Sequence, residues 1–276
     1  IGEITKLHHL SGISVNSAFI DKEKNTWLMS RKDGVYLLNQ EARSVITYFD
    51  NFKIKALYDH GDFVFASTQT GELFQFNDKS SKHIDIPPNA HGRTLIHNFL
   101  ELNHKEILIN TNYGIMKMNF NSQNIFHIEV LNLLKDYKIV DLMVDEKKNL
   151  FVCSVYDPFF VPTDKYRSGV LPDHVHEELK NIRTFAIYPK NKAETYVSNI
   201  NGLNLIRNNQ LIKLWQNDPN LSARIVDITG INDSTQLLCT DGYGLILISN
   251  NKVFKKLNTE SGLASPFCKK AVRIKN

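Results

Sequence analysis

Thr240-Asp241-Gly242-Tyr243-Gly244-Leu245-Ile246-Leu247-Ile248 opens on a hydroxyl residue, reaches a glycine four positions later and runs straight into apolar sequence. The same arrangement stands at Ser30/Gly34, Thr68/Gly71, Thr111/Gly114 and Ser198/Gly202, and Ser154 fits between the last two, with Asp157 in the glycine's place. The steps between successive hydroxyl residues are 38, 43, 43, 44 and 42. A period of about forty residues, built from short apolar runs, is the signature of a β-propeller.

Each repeat reads as four strands. The first is a moderately apolar run ending at an acidic or polar turn, as in Ala18-Phe19-Ile20-Asp21 and Leu142-Met143-Val144-Asp145. The second is short and rich in aromatic and β-branched residues (Thr26-Trp27-Leu28-Met29-Ser30, Phe63-Val64-Phe65-Ala66-Ser67), the mark of a buried strand. The third starts at the glycine, which supplies the positive φ of a tight hairpin. The fourth is half-polar, as in Val253-Phe254-Lys255-Lys256-Leu257, and suits an outer position. Asn39, Asn77, Asn119, Asn208-Asn209 and Asn250-Asn251 supply turn chemistry after the third strand.

The repeats fall at about 12–53, 54–94, 95–137, 138–181, 182–223 and 224–261. Gly12 and Gly262 open equivalent segments six periods apart. The expectation is an all-β propeller of four-stranded blades: six whole units and half of a seventh, within a seven-bladed or longer array. An extra outer strand is expected at 2–8 and an extra inner strand at 262–274. The fourth repeat departs from the pattern. An insertion is expected over 158–181, with a short helix from Asp173 to Lys180, because Val175 and Leu179 share an i,i+4 face and Asp173 suits an N-cap. Insertions of this kind lie on surface loops.

Composition narrows the function. The 276 residues carry 33 basic and 29 acidic side chains, for a net charge of +4. The excess is scattered, so nucleic acid is not expected as a partner. No apolar stretch reaches the length of a membrane span, and membrane contact by this segment is not expected. The chain begins at Ile1, without a signal peptide pattern, and reads as a piece of a longer precursor. Cys153, Cys239 and Cys268 have neither disulfide nor zinc spacing, and the first two read as small buried hydrophobes. His174 and His176 lie two apart, so on a helix they would not face together. No metal and no cofactor is expected. The segment Asp21–Trp27 is one residue too long for the Asp-box of sialidase propellers and occurs once.

Gly12-Ile13-Ser14, Ile20-Asp21, Asn25-Thr26-Trp27-Leu28-Met29-Ser30 and Asp33-Gly34-Val35 resemble the two-component regulator propeller repeat. So do Ser261-Gly262-Leu263 and Thr240-Asp241-Gly242-Tyr243-Gly244-Leu245. The first and last repeats match well; elsewhere the tryptophan position holds Phe65, Leu108, Phe151 and Leu237. The resemblance implies the periplasmic sensor region of a membrane-bound (hybrid) histidine kinase of Bacteroidetes. It also implies a non-enzymatic role in detecting an oligosaccharide fragment and signalling across the membrane, with a homodimer through the parent receptor. Alternative readings are a scaffold for protein partners and a propeller hydrolase or lyase.

Ligand residues are expected on the loops between second and third strands, which a propeller gathers on one face. These are Arg31, Gln69, Asn112, Tyr113, Tyr156, Asn201, Asp241 and Tyr243. Tyrosine rings stack on sugar faces, and Asn, Asp and Arg pair with hydroxyls. Phe159 and Phe160 in the insertion are read either as a partner surface or as a cap on the core.

Overall fold

The computed structural model describes residues 13, 15–21, 24–30, 32–39, 44–50, 52–77, 79–89, 91–121, 126–131, 133–166 and 172–271. The chain divides into two compact bodies, an N-terminal one through Ile139 and a C-terminal one that holds 140–163 and the residues from Pro172 onward.

The described residues form six four-stranded antiparallel sheets, each a meander of consecutive strands. The first contains β1 (Val15–Ile20), β2 (Thr26–Ser30), β3 (Gly34–Asn39) and β4 (Ser44–Tyr48). The second contains β5 (Ile54–His60), β6 (Phe63–Thr68), β7 (Leu73–Phe76) and β8 (Ser81–Ile84). The third contains β9 (Ile96–Asn103), β10 (Glu106–Thr111), β11 (Ile115–Phe120) and β12 (Phe126–Leu131). The fourth contains β13 (Ile139–Val144), β14 (Leu150–Ser154), β15 (Pro158–Val161) and β16 (Asp173–His174). The fifth contains β17 (Thr184–Pro189), β18 (Glu194–Asn199), β19 (Gly202–Arg207) and β20 (Gln210–Lys213). The sixth contains β21 (Ile225–Gly230), β22 (Thr235–Thr240), β23 (Leu245–Ser249) and β24 (Lys252–Leu257).

Apolar side chains of neighbouring sheets meet to form the cores. In the N-terminal body Trp27, Met29 and Val35 pack with Ile54, Val64 and Phe76. In the C-terminal body Tyr196, Leu203 and Leu205 pack with Ile225, Leu238 and Ile246. Second strands are buried along nearly their whole length, which is why they read as continuous apolar runs.

The recurring hydroxyl and glycine have a structural reason. Thr111 Oγ1 donates to the Tyr113 and Gly114 carbonyls, and Thr240 Oγ1 donates to Gly244 O while accepting from Tyr243 N. These two hydroxyls thus close their own loops. The glycine does more than turn the chain. At Gly202 (φ 128°) an added Cβ would stand 2.2 Å from Leu221 O, and at Gly244 (φ 79°) 2.1 Å from Leu257 O. The chain leaving for the next repeat lies directly on the glycine, so position and conformation both exclude a side chain.

The fourth repeat differs from expectation. Pro158–Val161 is its third strand, paired with Leu150–Cys153, so the departure from the meander begins after Val161. The span from Asp173 to Lys180 is not a helix. Asp173–His174 bridges to Phe159–Phe160, and a single 3-10 turn follows at Glu177–Leu179, capped by His176 rather than Asp173. Val175 and Leu179 both pack into the core between the fourth and fifth sheets, which accounts for their apolar spacing without a helix. His174 stacks on Phe159 at 5.1 Å, while Phe160 packs on Phe151 at 5.2 Å. The phenylalanine pair therefore caps the core. Of the two expected terminal strands, 2–8 lies outside the described residues. The expected inner strand at 262–274 does not form among its described residues, 262–271, which meet the sixth sheet through an isolated Asp241–Phe267 bridge.

Candidate functional site

In five of the first strands the ladder skips one residue, leaving Asn16, Lys55, His97, Phe185 and Val226 as bulges. A bulge bends its strand and re-aims the side chain it carries. Just before four of these strands, the chain accepts a main-chain hydrogen bond from the loop between strands two and three. Gln69 N donates to Lys53 O, Asn112 N to Leu95 O, Ile200 N to Arg183 O and Asp241 N to Arg224 O. The strand entry and the loop are thus held side by side in these four sheets.

In the C-terminal body these contacts make a continuous row. Thr184 Oγ1 donates 2.6 Å to Ser154 O, tying the Tyr156 loop to the entry of the fifth sheet. Arg183 and Arg224 lie with their guanidinium carbons 5.5 and 4.4 Å from the ring of Phe185, inside cation–π range. Arg224 Nη1 is 3.1 Å from Asp241 Oδ2, and Lys269 Nζ donates to Asp241 Oδ1. That hydrogen bond, with the charges of Lys269 and Arg224, outweighs burial and holds the Asp241 carboxyl below the usual carboxylate range.

The expected residues Tyr156, Asn201, Asp241 and Tyr243 all stand on this row. Tyr156 and Tyr243 are 63% and 67% exposed, Ile200 beside Asn201 is 60% exposed, and Phe267 is 60% exposed. Tyr243 borders an open cleft of about 380 Å³ with Asn220, Ser222, Lys256 and Asn258. Lys256 Nζ donates 2.9 Å to Asn220 Oδ1 there. An exposed ring edged by amides, a hydroxyl and an ammonium can stack on a sugar and bond its hydroxyls.

In the N-terminal body the loop between β10 and β11 is engaged internally. Asn112 Oδ1 accepts from Leu95 N at 2.8 Å and Asn89 Nδ2 at 3.0 Å, and its Nδ2 donates to Arg93 O. Tyr113 stacks on His91 at 4.1 Å with Lys138 Nζ 5.6 Å above its ring. Gln69 is exposed. Arg31 lies outside the described residues.

Arg183, Arg224, Phe185 and Lys269 were not among the residues expected from sequence. A signal existed: Lys53, Lys138, Arg183 and Arg224 occupy the same place in four repeats, one residue ahead of the first strand.

A second charged group lies lower on the first strands. Asp227 Oδ1 accepts from Lys270 Nζ at 2.8 Å, while Oδ2 accepts from Ala271 N at 3.0 Å and lies 3.3 Å from Thr229 Oγ1. Burial pushes the Asp141 carboxyl up to about 6; the Lys270 charge opposes this and the Asp227 charge adds to it. Burial works against the Lys270 ammonium, but Asp227 and Asp141 outweigh it and hold its pKa above the usual value. Asp227 is nearly inaccessible, and both its oxygens anchor the 268–271 segment. Among the described residues no group of His, Cys, Asp and Glu is placed to hold a metal ion. Burial likewise raises the Cys153 and Cys239 thiols, which are fully enclosed.

No family model and no curated protein sequence matches the chain. Solved structures do. An extracellular domain of a hybrid two-component system from B. thetaiotaomicron superposes with TM-score 0.65 at 14% identity, over 85% of this chain and 32% of that one. PorZ of the type-IX secretion system of Porphyromonas gingivalis gives 0.65 at 12%, over 93% and 43%. A virginiamycin B lyase of Staphylococcus aureus, solved with quinupristin, gives 0.65 at 14%, over 88% and 84%. The chain has the β-propeller fold of four-stranded blades, shared with two-component extracellular domains. It spans about a third of the length of the two-component domain named above. No helix among the described residues is long and apolar enough to cross a membrane.

Proposed function

We propose that this chain is a ligand-sensing propeller segment of an extracytoplasmic sensor in a two-component histidine kinase system, that it binds an oligosaccharide and that it does no chemistry on it. The observation that carries the reading is Tyr243, two-thirds exposed over a cleft that sets amide, hydroxyl and ammonium groups beside apolar Pro219, Ala223, Ile246 and Pro266. An aromatic ring two-thirds exposed is available to a flat, hydroxylated ligand. The likeness to extracellular domains of two-component systems supports the same assignment. Asp227 is spent on Lys270 and the Ala271 amide, which favours binding over hydrolysis there. A homodimer through the parent receptor would carry the signal onward.

Thermal unfolding against an oligosaccharide panel tests this. A ligand that binds only the folded state raises the midpoint by mass action, and Tyr243→Ala removes the shift. No shift from any glycan, with the protein folded, contradicts it. The exposed Ile200 and Phe267 favour one second reading, a scaffold that docks a protein; it is the reading left standing by that negative result.

A further inference from the structure

We infer that the ligand of the C-terminal body is anionic: a saccharide bearing carboxylate or sulfate groups, its acid group received by Arg183 and Arg224 where they flank Phe185. This rests on the saccharide reading above and narrows it.

The row formed by the strand entries and loops holds three cations, Arg183, Arg224 and Lys269, against one carboxylate, Asp241, which already serves two of them. Arg183 has no carboxylate partner among the described residues, and its guanidinium lies over the Phe185 ring. The nearest acid along the chain, Glu178, lies 3.2 Å from Lys213 Nζ, and Asp157 accepts from the Asn181 amide at 2.9 Å and lies 3.7 Å from His174. Both arginines are exposed, and stacking on a buried ring fixes their planes while leaving their outer N–H groups to solvent. A guanidinium so fixed is pre-organised for the two parallel hydrogen bonds that a carboxylate or sulfate accepts. Arg224 is shared with Asp241, which sets its orientation without cancelling the local positive charge. The basic entry position recurs as Lys53 and Lys138, but the ring that Lys138 covers is the exposed-loop residue Tyr113, already stacked on His91. In the C-terminal body the ring beneath the cations is the bulge residue of a first strand, so the loop tyrosines stay uncovered.

Binding is measured with a panel of uronate-bearing and sulfated oligosaccharides, each beside its methyl-esterified or desulfated counterpart. The charged member of at least one pair binds about tenfold or more tightly, since a charge-assisted hydrogen bond is worth that much. Its affinity falls as salt is raised, and Arg183→Gln and Arg224→Gln each lose most of the difference while unfolding at the wild-type midpoint. Whether the uronate or the sulfate pair responds identifies the acid. Equal affinity for the charged and neutral members, or undiminished preference in both glutamine variants, overturns the inference and leaves the saccharide reading intact. Binding of no member of any pair overturns both.

Discussion

The loop between β10 and β11 in the N-terminal body and the loops that carry Tyr156 and Tyr243 in the C-terminal body share one design and end in opposite states. In the N-terminal body Asn112 spends its amide on Leu95, Asn89 and Arg93, and Tyr113 contacts both His91 and Lys138. In the C-terminal body Tyr156 and Tyr243 stand in solvent, and the cations stack on Phe185 instead of on the loop. The repeat decides where a loop residue sits. The neighbours that the adjoining strand entry supplies decide whether it is closed or free to meet a ligand. A tyrosine at a loop position is therefore no evidence of a site until its partners are known.

The largest effects should come from the shared glycine. Gly244→Ala would place a methyl 2.1 Å from Leu257 O, whereas at Gly114 the nearest atom is Lys135 Cα at 2.9 Å. Urea unfolding should register a loss of about 3 kcal/mol or more at Gly244 and a smaller loss at Gly114. Equal, slight losses would mean that the departing chain does not rest on these glycines.

Next come the asparagines. Asn112→Ala strips three hydrogen bonds from a half-buried loop and should cost about 2 kcal/mol. Asn201→Ala, exposed on the equivalent loop, should cost less than about 0.5 kcal/mol. A reversed order would dissolve the contrast between closed and open loops.

These residues also show how much was readable beforehand. The hydroxyl–glycine column and the alternation of apolar runs located nearly every strand, because hairpin turns and buried strands are local matters. The closeness of the next repeat's chain to each glycine was not readable, since it is a tertiary contact between segments more than a turn apart. The Asp173–Lys180 span misled because Val175 and Leu179 point into one core from a bridge and a 3-10 turn, a pattern that mimics helical spacing. Arg183 and Arg224 escaped notice because one basic residue per repeat is a faint signal in a chain with 33 of them. Their meaning depends on Phe185, which only the bulge brings beneath them.

A pH series sharpens the comparison further. The folded pKa of Asp141, near 6, lies above its unfolded value near 4. Between those values the folded state binds the extra proton, so stability falls as pH rises from about 4 to about 6. Asp141→Asn should remove that slope, on the order of 1–2 kcal/mol across the window. Unfolding midpoints at pH 4, 5 and 6 check it; an unchanged slope would place Asp141 in a more solvated setting than its packing indicates.

The smallest stability change is expected at Tyr243, whose replacement by alanine should cost under about 0.5 kcal/mol. It also supplies the most direct test of the claim that the open face is the ligand face. Calorimetric titration of Tyr243→Ala and Tyr113→Ala with any oligosaccharide that binds the wild-type chain should show binding lost in the first and retained in the second. Loss with Tyr113→Ala and retention with Tyr243→Ala would contradict the account.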